Sequence, residues 1–173
     1  MNGAWRISRV KTVTMIHIRA MEPSDTAVLV HWMLRVPLWQ RYGFTVERGE
    51  AYFERGLAGN GVLLVADVPE QTAVGFAWLE PKGAFAHNAY LQMIGVHPDH
   101  MSKGIGAALM ARVEDQVRSQ SDQLFLLSSD FNTSAHQFYR RLGYTQVGQI
   151  PGYALPDVDE LIFWKRLQPP NTG

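Results

Sequence analysis

Between Val96 and Leu109 the chain reads V-H-P-D-H-M-S-K-G-I-G-A-A-L, the end of an apolar strand, then a glycine-bearing turn, then the start of an amphipathic helix. That order builds a seat for an anion. Gly104 and Gly106 have no Cβ and leave room for close backbone approach, while the amides of the first helical turn have no partner inside the helix and point outward toward phosphate oxygens. Lys103 adds a mobile positive charge to the same loop, and Arg140 and Arg141 are further phosphate partners to consider.

Other loops that hold phosphate fit less well. A dinucleotide fingerprint needs a third glycine where Leu109 stands, and it opens a domain, whereas four strands precede this turn. Nothing matches the G-x-x-x-x-G-K-[ST] loop of nucleotide triphosphatases. His97 and His100 have a spacing open to metal ligands, but no third ligand lies near them and Pro98 implies a turn, so no metal is expected.

The segment Met101-Ser102-Lys103-Gly104-Ile105-Gly106, following a strand that ends in V-x-P, resembles the acyl-coenzyme A loop Q/R-x-x-G-x-G/A of the GCN5-related N-acetyltransferase (GNAT) family. A second segment in the right order, Asn132-x-Ser134-Ala135-x-x-Phe138-Tyr139-x-x-Leu142-Gly143-Tyr144, is similar to the family's N-x-x-A-x-x-F-Y-x-x-x-G-F/Y stretch. With the flanking strands the resemblance covers Ile16 to Leu167. It implies an acyl-CoA N-acyltransferase fold of the α/β class: a mixed, mostly antiparallel central sheet flanked by helices. In it the strands carrying Tyr90 and Leu124 splay apart and leave a V-shaped slot for a pantetheine arm.

The resemblance also implies an activity, transfer of an acetyl group from acetyl-CoA, as co-substrate, to a primary amine by direct attack in a ternary complex. Tyr139 would protonate the departing thiolate and Asn132 would hydrogen-bond the pantetheine arm. Backbone groups of Ile94 and Val96 would pair with that arm as though it were an added strand, the Val96 N–H polarising the thioester carbonyl. Met101, Ser102, Lys103, Gly104, Ile105, Gly106 and Ala107 would complete the cofactor site, with Ser134 and Phe138 from the second segment.

Two departures from the family pattern stand out. Met101 replaces a Gln or Arg, which implies weaker cofactor affinity without loss of binding. Gln92 replaces a carboxylate, and an amide cannot take a proton near neutral pH, so Gln92 is expected to orient a water. Glu80, Asp130 and His97 are the candidates for relaying the proton; an amine of low pKa needs none. Trp39 and Tyr42, with Phe44, are open to lining an acceptor pocket, whereas Trp32 reads as core. The acceptor stays open among small amines, amino-acid derivatives, aminoglycoside-like compounds and a peptide N-terminus or lysine. A different class, a catalytically silent acyl-CoA sensor or partner-binding module, is favoured by Gln92 and Met101 and opposed by Tyr139.

The elements that must position these residues follow from length and pattern. The 173 residues, 46% hydrophobic and 18% charged, suit one domain expected over residues 15–167, after a flexible leader at 1–14 and before a loose tail at 168–173. Sixteen basic against sixteen acidic residues leave no overall field toward nucleic acid or an anionic membrane. Cysteine is absent and no signal-peptide or membrane-spanning run is seen, which together suit a cytoplasmic protein. A strand is expected over Met15–Arg19, then a helix capped by Ser24 or Asp25 with Val28, Leu29, Trp32 and Met33 on its buried face. Pro37, Gly43 and Gly49 interrupt the next region before Ala51, Tyr52, Phe53 and Leu57 resume a helical spacing. Gly61–Asp67 and Ala73–Glu80 read as a hairpin, and 81–88 as a loop near a substrate opening. A strand over Tyr90–Val96 precedes a helix whose Ile105, Leu109, Val113 and Val117 recur every fourth residue. Leu124–Leu127 reads as a buried strand, Asn132 as the cap of the following helix, and Gly143 as its left-handed end. Tyr144–Gly148 and Glu160–Lys165 supply the last strands, the latter a possible surface for a homodimer.

Overall fold

The computed structural model describes residues 15–168. The leader expected over 1–14, and all but the first residue of the expected tail, lie outside the described residues. The elements run β1 (His17–Ala20), α1 (Asp25–Met33), α2 (Pro37–Arg41), α3 (Val46–Ala58), β2 (Val62–Val68), β3 (Gln71–Ala84), β4 (Asn88–Val96), α4 (Ile105–Arg118), β5 (Gln123–Ser129), α5 (Thr133–Arg141), β6 (Thr145–Leu155) and β7 (Val158–Arg166). The seven strands form one sheet in the order β1-β2-β3-β4-β5-β7-β6, antiparallel at every junction except the parallel β4–β5 pair. No described helix is long and apolar enough to cross a membrane.

Alternation along the strands sends apolar side chains to both faces, because successive residues of a strand point opposite ways. On β2, Leu64, Ala66 and Val68 join one core cluster with α4 and α5, while Leu63 and Val65 join the other with α1 and α3. All four residues spaced along α4, Ile105, Leu109, Val113 and Val117, are buried against the first face. Glu114 on the same helix is buried too. It accepts hydrogen bonds from Tyr144 Oη at 3.0 Å and from Lys165 Nζ at 2.8 Å, which ties α4 to β7.

A bulge interrupts β4. Trp78 of β3 faces Met93 and its neighbour Leu79 faces Leu91, so Gln92 is the extra residue with no opposite number. The extra residue switches the parity of the strand: Ala89 and Leu91 lie in the α4-side core before it, and Ile94 and Val96 pack there after it.

Several local expectations are corrected. Residues 81–88 are not a loop: β3 runs on to Ala84, and the chain reverses at Phe85 and Ala86, both at φ 54°, into β4. Pro37 opens α2, where its missing N–H costs no helical bond, instead of breaking a helix. Gly49 sits inside α3, because a Cβ there would fall 2.7 Å from the Phe44 ring and 2.8 Å from Val30. On α1 the buried apolar face takes Val30 in place of Val28, which is 39% exposed. β7 is not an edge strand, being flanked by β5 and β6, and the two edges of the sheet are β1 and β6.

Ser24 makes no capping bond; Asp25 does the local work. Its carboxylate accepts from Glu22 N at 2.8 Å and from both Arg19 terminal nitrogens at 2.7 Å, while Arg19 Nε reaches Asp67 at 2.7 Å. The Arg19 bonds hold the Asp25 carboxyl below the usual carboxylate range, against the opposing effect of burial. A carboxyl whose pKa is depressed on folding adds stability above its unfolded pKa and loses it as pH falls through the folded value. Asp25→Asn is therefore expected to lower the unfolding free energy by about 1–3 kcal/mol near neutral pH. In urea titrations at several pH values, the gap from wild type should close as pH drops below about 4, the unfolded aspartate value.

Candidate functional site

The β4–β5 ladder has three rungs, Ala89 with Leu124, Tyr90 with Phe125 and Leu91 with Leu126. Beyond them, at the Gln92 bulge, the strands part. From there to Val96 the edge of β4 that faces β5 has no strand partner, and Leu127–Ser129 of β5 pair only with β7. The parting opens a cleft of about 240 Å³. Leu91–Ile94 and Leu126–Ser129 form its two sides, Leu38 and Trp39 of α2 and Tyr42 just after it cover the cleft, and Tyr153, Ala154 and Glu160 close the β6–β7 end.

Helix α5 presents Asn132 and Tyr139 to this cleft. Asn132 caps the helix by accepting from Ala135 N at 3.4 Å and also receives the Ser134 hydroxyl at 3.2 Å. Ser134 itself is exposed. Tyr139 is buried among Phe138, Tyr144 and Phe163, with ring centroids 5.4–6.0 Å away. No described side chain or backbone group bonds its hydroxyl, and no described polar side-chain atom is sealed without a partner, so the hydroxyl opens on the cleft. Burial, then the neighbouring Tyr90, pushes the Tyr139 phenol well above its ordinary pKa and keeps it protonated.

The glycine turn lies at the N-terminus of α4. Ser102 at φ 60° and Gly104 at φ 88° adopt the left-handed conformation, and Met101, Ser102, Lys103 and Ala107 are exposed. Ile105 packs its side chain into the core, leaving only its amide for a ligand. At Gly106 a Cβ would stand 3.3 Å from the Phe138 ring, so glycine lets α4 and α5 approach each other beside the turn. The free first-turn amides and the unpaired β4 edge are the groups that a phosphate with an amide-bearing arm requires.

Of the sequence-derived site residues, Tyr139, Gln92, Ile94 and Asn132 meet in the cleft, while Val96, Phe138 and the glycine turn lie outside its walls. Trp39 and Tyr42 line it, and Trp32 is core, its indole donating to Ala73 O at 3.0 Å. The three proton-relay candidates are elsewhere. Glu80 accepts from the Trp78 indole at 2.7 Å, Asp130 is exposed, and His97 packs on Trp32 with its Nδ1 accepting from Asp99 N at 3.2 Å.

One cluster was not visible in the sequence. Tyr42 donates its hydroxyl proton to Glu160 Oε1, and the Ser129 hydroxyl, 2.6 Å away, donates to the Tyr42 oxygen. Ser129 and Glu160 are register partners across β5 and β7, and the His136 ring bonds Ser129 O at 2.9 Å. Burial first, and then the Glu160 carboxylate, push the Tyr42 phenol up to about 12. Arg41 adds an ion pair to Asp157 at 3.2 Å and stacks over Phe131 at 4.5 Å, so α2 is tied down across the open end of the splay.

Comparison with known proteins agrees with this architecture. A family model described as the Acetyltransferase (GNAT) family matches residues 28–144. A mycothiol acetyltransferase of Beutenbergia cavernae is 29% identical over 112 residues, 64% of this chain, and the match spans only 36% of that longer relative. An acetyltransferase structure from Salmonella typhimurium with its cofactor acetyl-CoA superposes with a TM-score of 0.70 at 19% identity, covering 92% of this chain and 98% of the other. The ribosomal-protein-S18-alanine N-acetyltransferase of Escherichia coli gives 0.71 at 19% identity, over 92% of this chain and 98% of its own. At such identities the two structural likenesses concern the fold.

The left-handed turn is directly testable. Gly104→Ala places a Cβ in a conformation that costs about 1–2 kcal/mol, and the loss should appear in full in urea unfolding because the surrounding space is open.

Proposed function

Since the chain belongs to the GNAT family of acetyltransferases, we propose that it moves the acetyl group of acetyl-CoA onto the primary amine of an acceptor by direct attack within a ternary complex. The observation that carries this reading is the Tyr139 hydroxyl, open to the cleft where β4 and β5 separate. In the proposed complex the first-turn amides of α4 bind the pyrophosphate, with Lys103 beside them. The free edge of β4 from Gln92 to Val96 holds the pantetheine arm, the Val96 N–H facing the thioester carbonyl, and Asn132 adds a side-chain contact.

The chemistry then asks little of the protein beyond position. The neutral amine attacks the carbonyl carbon, the C–S bond breaks, and negative charge builds on sulfur. Tyr139, kept protonated by burial, donates to that sulfur as the charge develops. Holding amine and thioester together supplies much of the rate. Met101 contributes no polar contact to the pyrophosphate, which supports modest affinity for acetyl-CoA. A silent acyl-CoA sensor has no use for a buried hydroxyl left open to the cleft, so Tyr139 favours turnover.

Thiol release from acetyl-CoA with an amine panel tests the activity. Tyr139→Phe is expected to lower kcat by about 100-fold while leaving the calorimetric affinity for acetyl-CoA unchanged, within the usual size of general-acid effects. Unchanged turnover at saturating acetyl-CoA removes the acid role. Lys103→Glu should raise the KM for acetyl-CoA with kcat preserved; an unaltered KM excludes the contact to phosphate.

A further inference from the structure

Glu160 is 6% exposed, yet among the described residues no lysine, arginine or histidine lines the cleft it faces. One of its oxygens is held by Tyr42; no described protein group donates to the other, which is not sealed off, and Glu160 is one of the residues lining the cleft. A carboxylate withdrawn from water without a cation costs several kcal/mol. Among the described residues the walls carry no positive charge, and a cationic ligand would bring one. Trp39, Tyr42, Tyr90 and Tyr153 line the same cleft as the carboxylate, aromatic side chains that suit an apolar body and whose π clouds attract a cation.

We propose that Glu160 binds the acceptor as an ammonium ion and takes its proton, that Tyr42 is the positioning residue for Glu160, and that the acceptor is a primary amine on an apolar or aromatic body without an anionic group beside the nitrogen. This rests on the acetyltransferase reading and fills the place where the chain carries Gln92. The ammonium N–H bond breaks to give Glu160 a proton and the nitrogen its lone pair. The amine nitrogen then bonds to the thioester carbon, the C–S bond breaks, and the sulfur leaves as thiol with a proton from Tyr139. The second proton shed by the nitrogen restores Tyr139, and Glu160 returns its own to solvent. The titratable groups around Glu160 are Tyr42 after α2, Tyr90 on β4, Tyr139 and the Ser129-bonded His136 on α5, and Tyr153 on β6; Arg41 is engaged by Asp157. Burial first, and Glu160 after it, raise the Tyr42 and Tyr90 phenols, which therefore stay neutral beside it.

The test uses the full chain, acetyl-CoA and three amines, 2-phenylethylamine, n-butylamine and phenylalanine, with thiol release as the readout and acetyl-CoA calorimetry as the control. For wild type, 2-phenylethylamine should give the highest kcat/KM and phenylalanine, with its carboxylate beside the amine, the lowest. Glu160→Gln should lower kcat/KM for 2-phenylethylamine by about 100-fold near neutral pH, keep acetyl-CoA affinity, and lose part of its deficit at high pH where the amine is already neutral. Glu160→Asp should restore part of the rate, and Tyr42→Phe should raise the amine KM and move the acidic limb of the pH profile. A wild-type profile in Glu160→Gln, a preference for phenylalanine, or no turnover of any of the three with acetyl-CoA binding intact overturns the proposal. The wild-type ranking decides the substrate class even if a variant fails to fold. Absence of acetyl-CoA binding by the wild-type chain instead removes the acetyltransferase reading beneath it.

Discussion

The site depends on one break in a hydrogen-bond ladder. β4 and β5 are joined by three parallel rungs and then part at Gln92, the residue that has no opposite number on β3. A bulge bends its strand and raises local twist, and here it does so at the rung where the partner strand is lost. The cost is a row of main-chain groups with no strand beside them. That row is also an edge inside the sheet that can accept an extended amide-bearing arm, and it leads to the glycine turn at the head of α4. Everything else holds this opening in place: α4 is packed by its apolar face and tied to β7 through Glu114, and α2 is pinned across the far end by Tyr42 and Arg41.

Electrostatics divide the opening into two halves. At the α4 end the first-turn amides and Lys103 offer positive potential to an anion. Among the described residues the sole formal charge on the cleft walls is negative, Glu160, beside Tyr42, Tyr90 and Tyr139, which burial keeps protonated. In the proposed complex a polyanionic thioester and a cationic amine would thus have separate attractive ends, with the reacting centres meeting between them near Tyr139. The overall charge of zero hides this polarity, which arises from placement.

What the sequence made legible was local. The four-residue apolar spacing from Ile105 to Val117, the Asn132 cap and the left-handed Gly143 each depend on neighbours within a turn or two, and each stands as read. Two things were hidden. The β3–β4 hairpin turns on Phe85 and Ala86, residues that carry no turn signal, so its flanks passed for a loop. The contact of Tyr42 with Glu160 joins positions 118 residues apart, and only the β5–β7–β6 order brings them together. The bulge left a faint trace, adjacent apolar Met93 and Ile94 in a strand that should alternate, which marks the parity switch.

Backbone hydrogen exchange with and without acetyl-CoA reads the free edge directly. The account predicts that the ligand slows exchange at the amides of Ile94 and Val96 and of the turn from Ser102 to Ala107, the groups that gain partners. Protection confined to other strands, or none at saturating ligand, contradicts it.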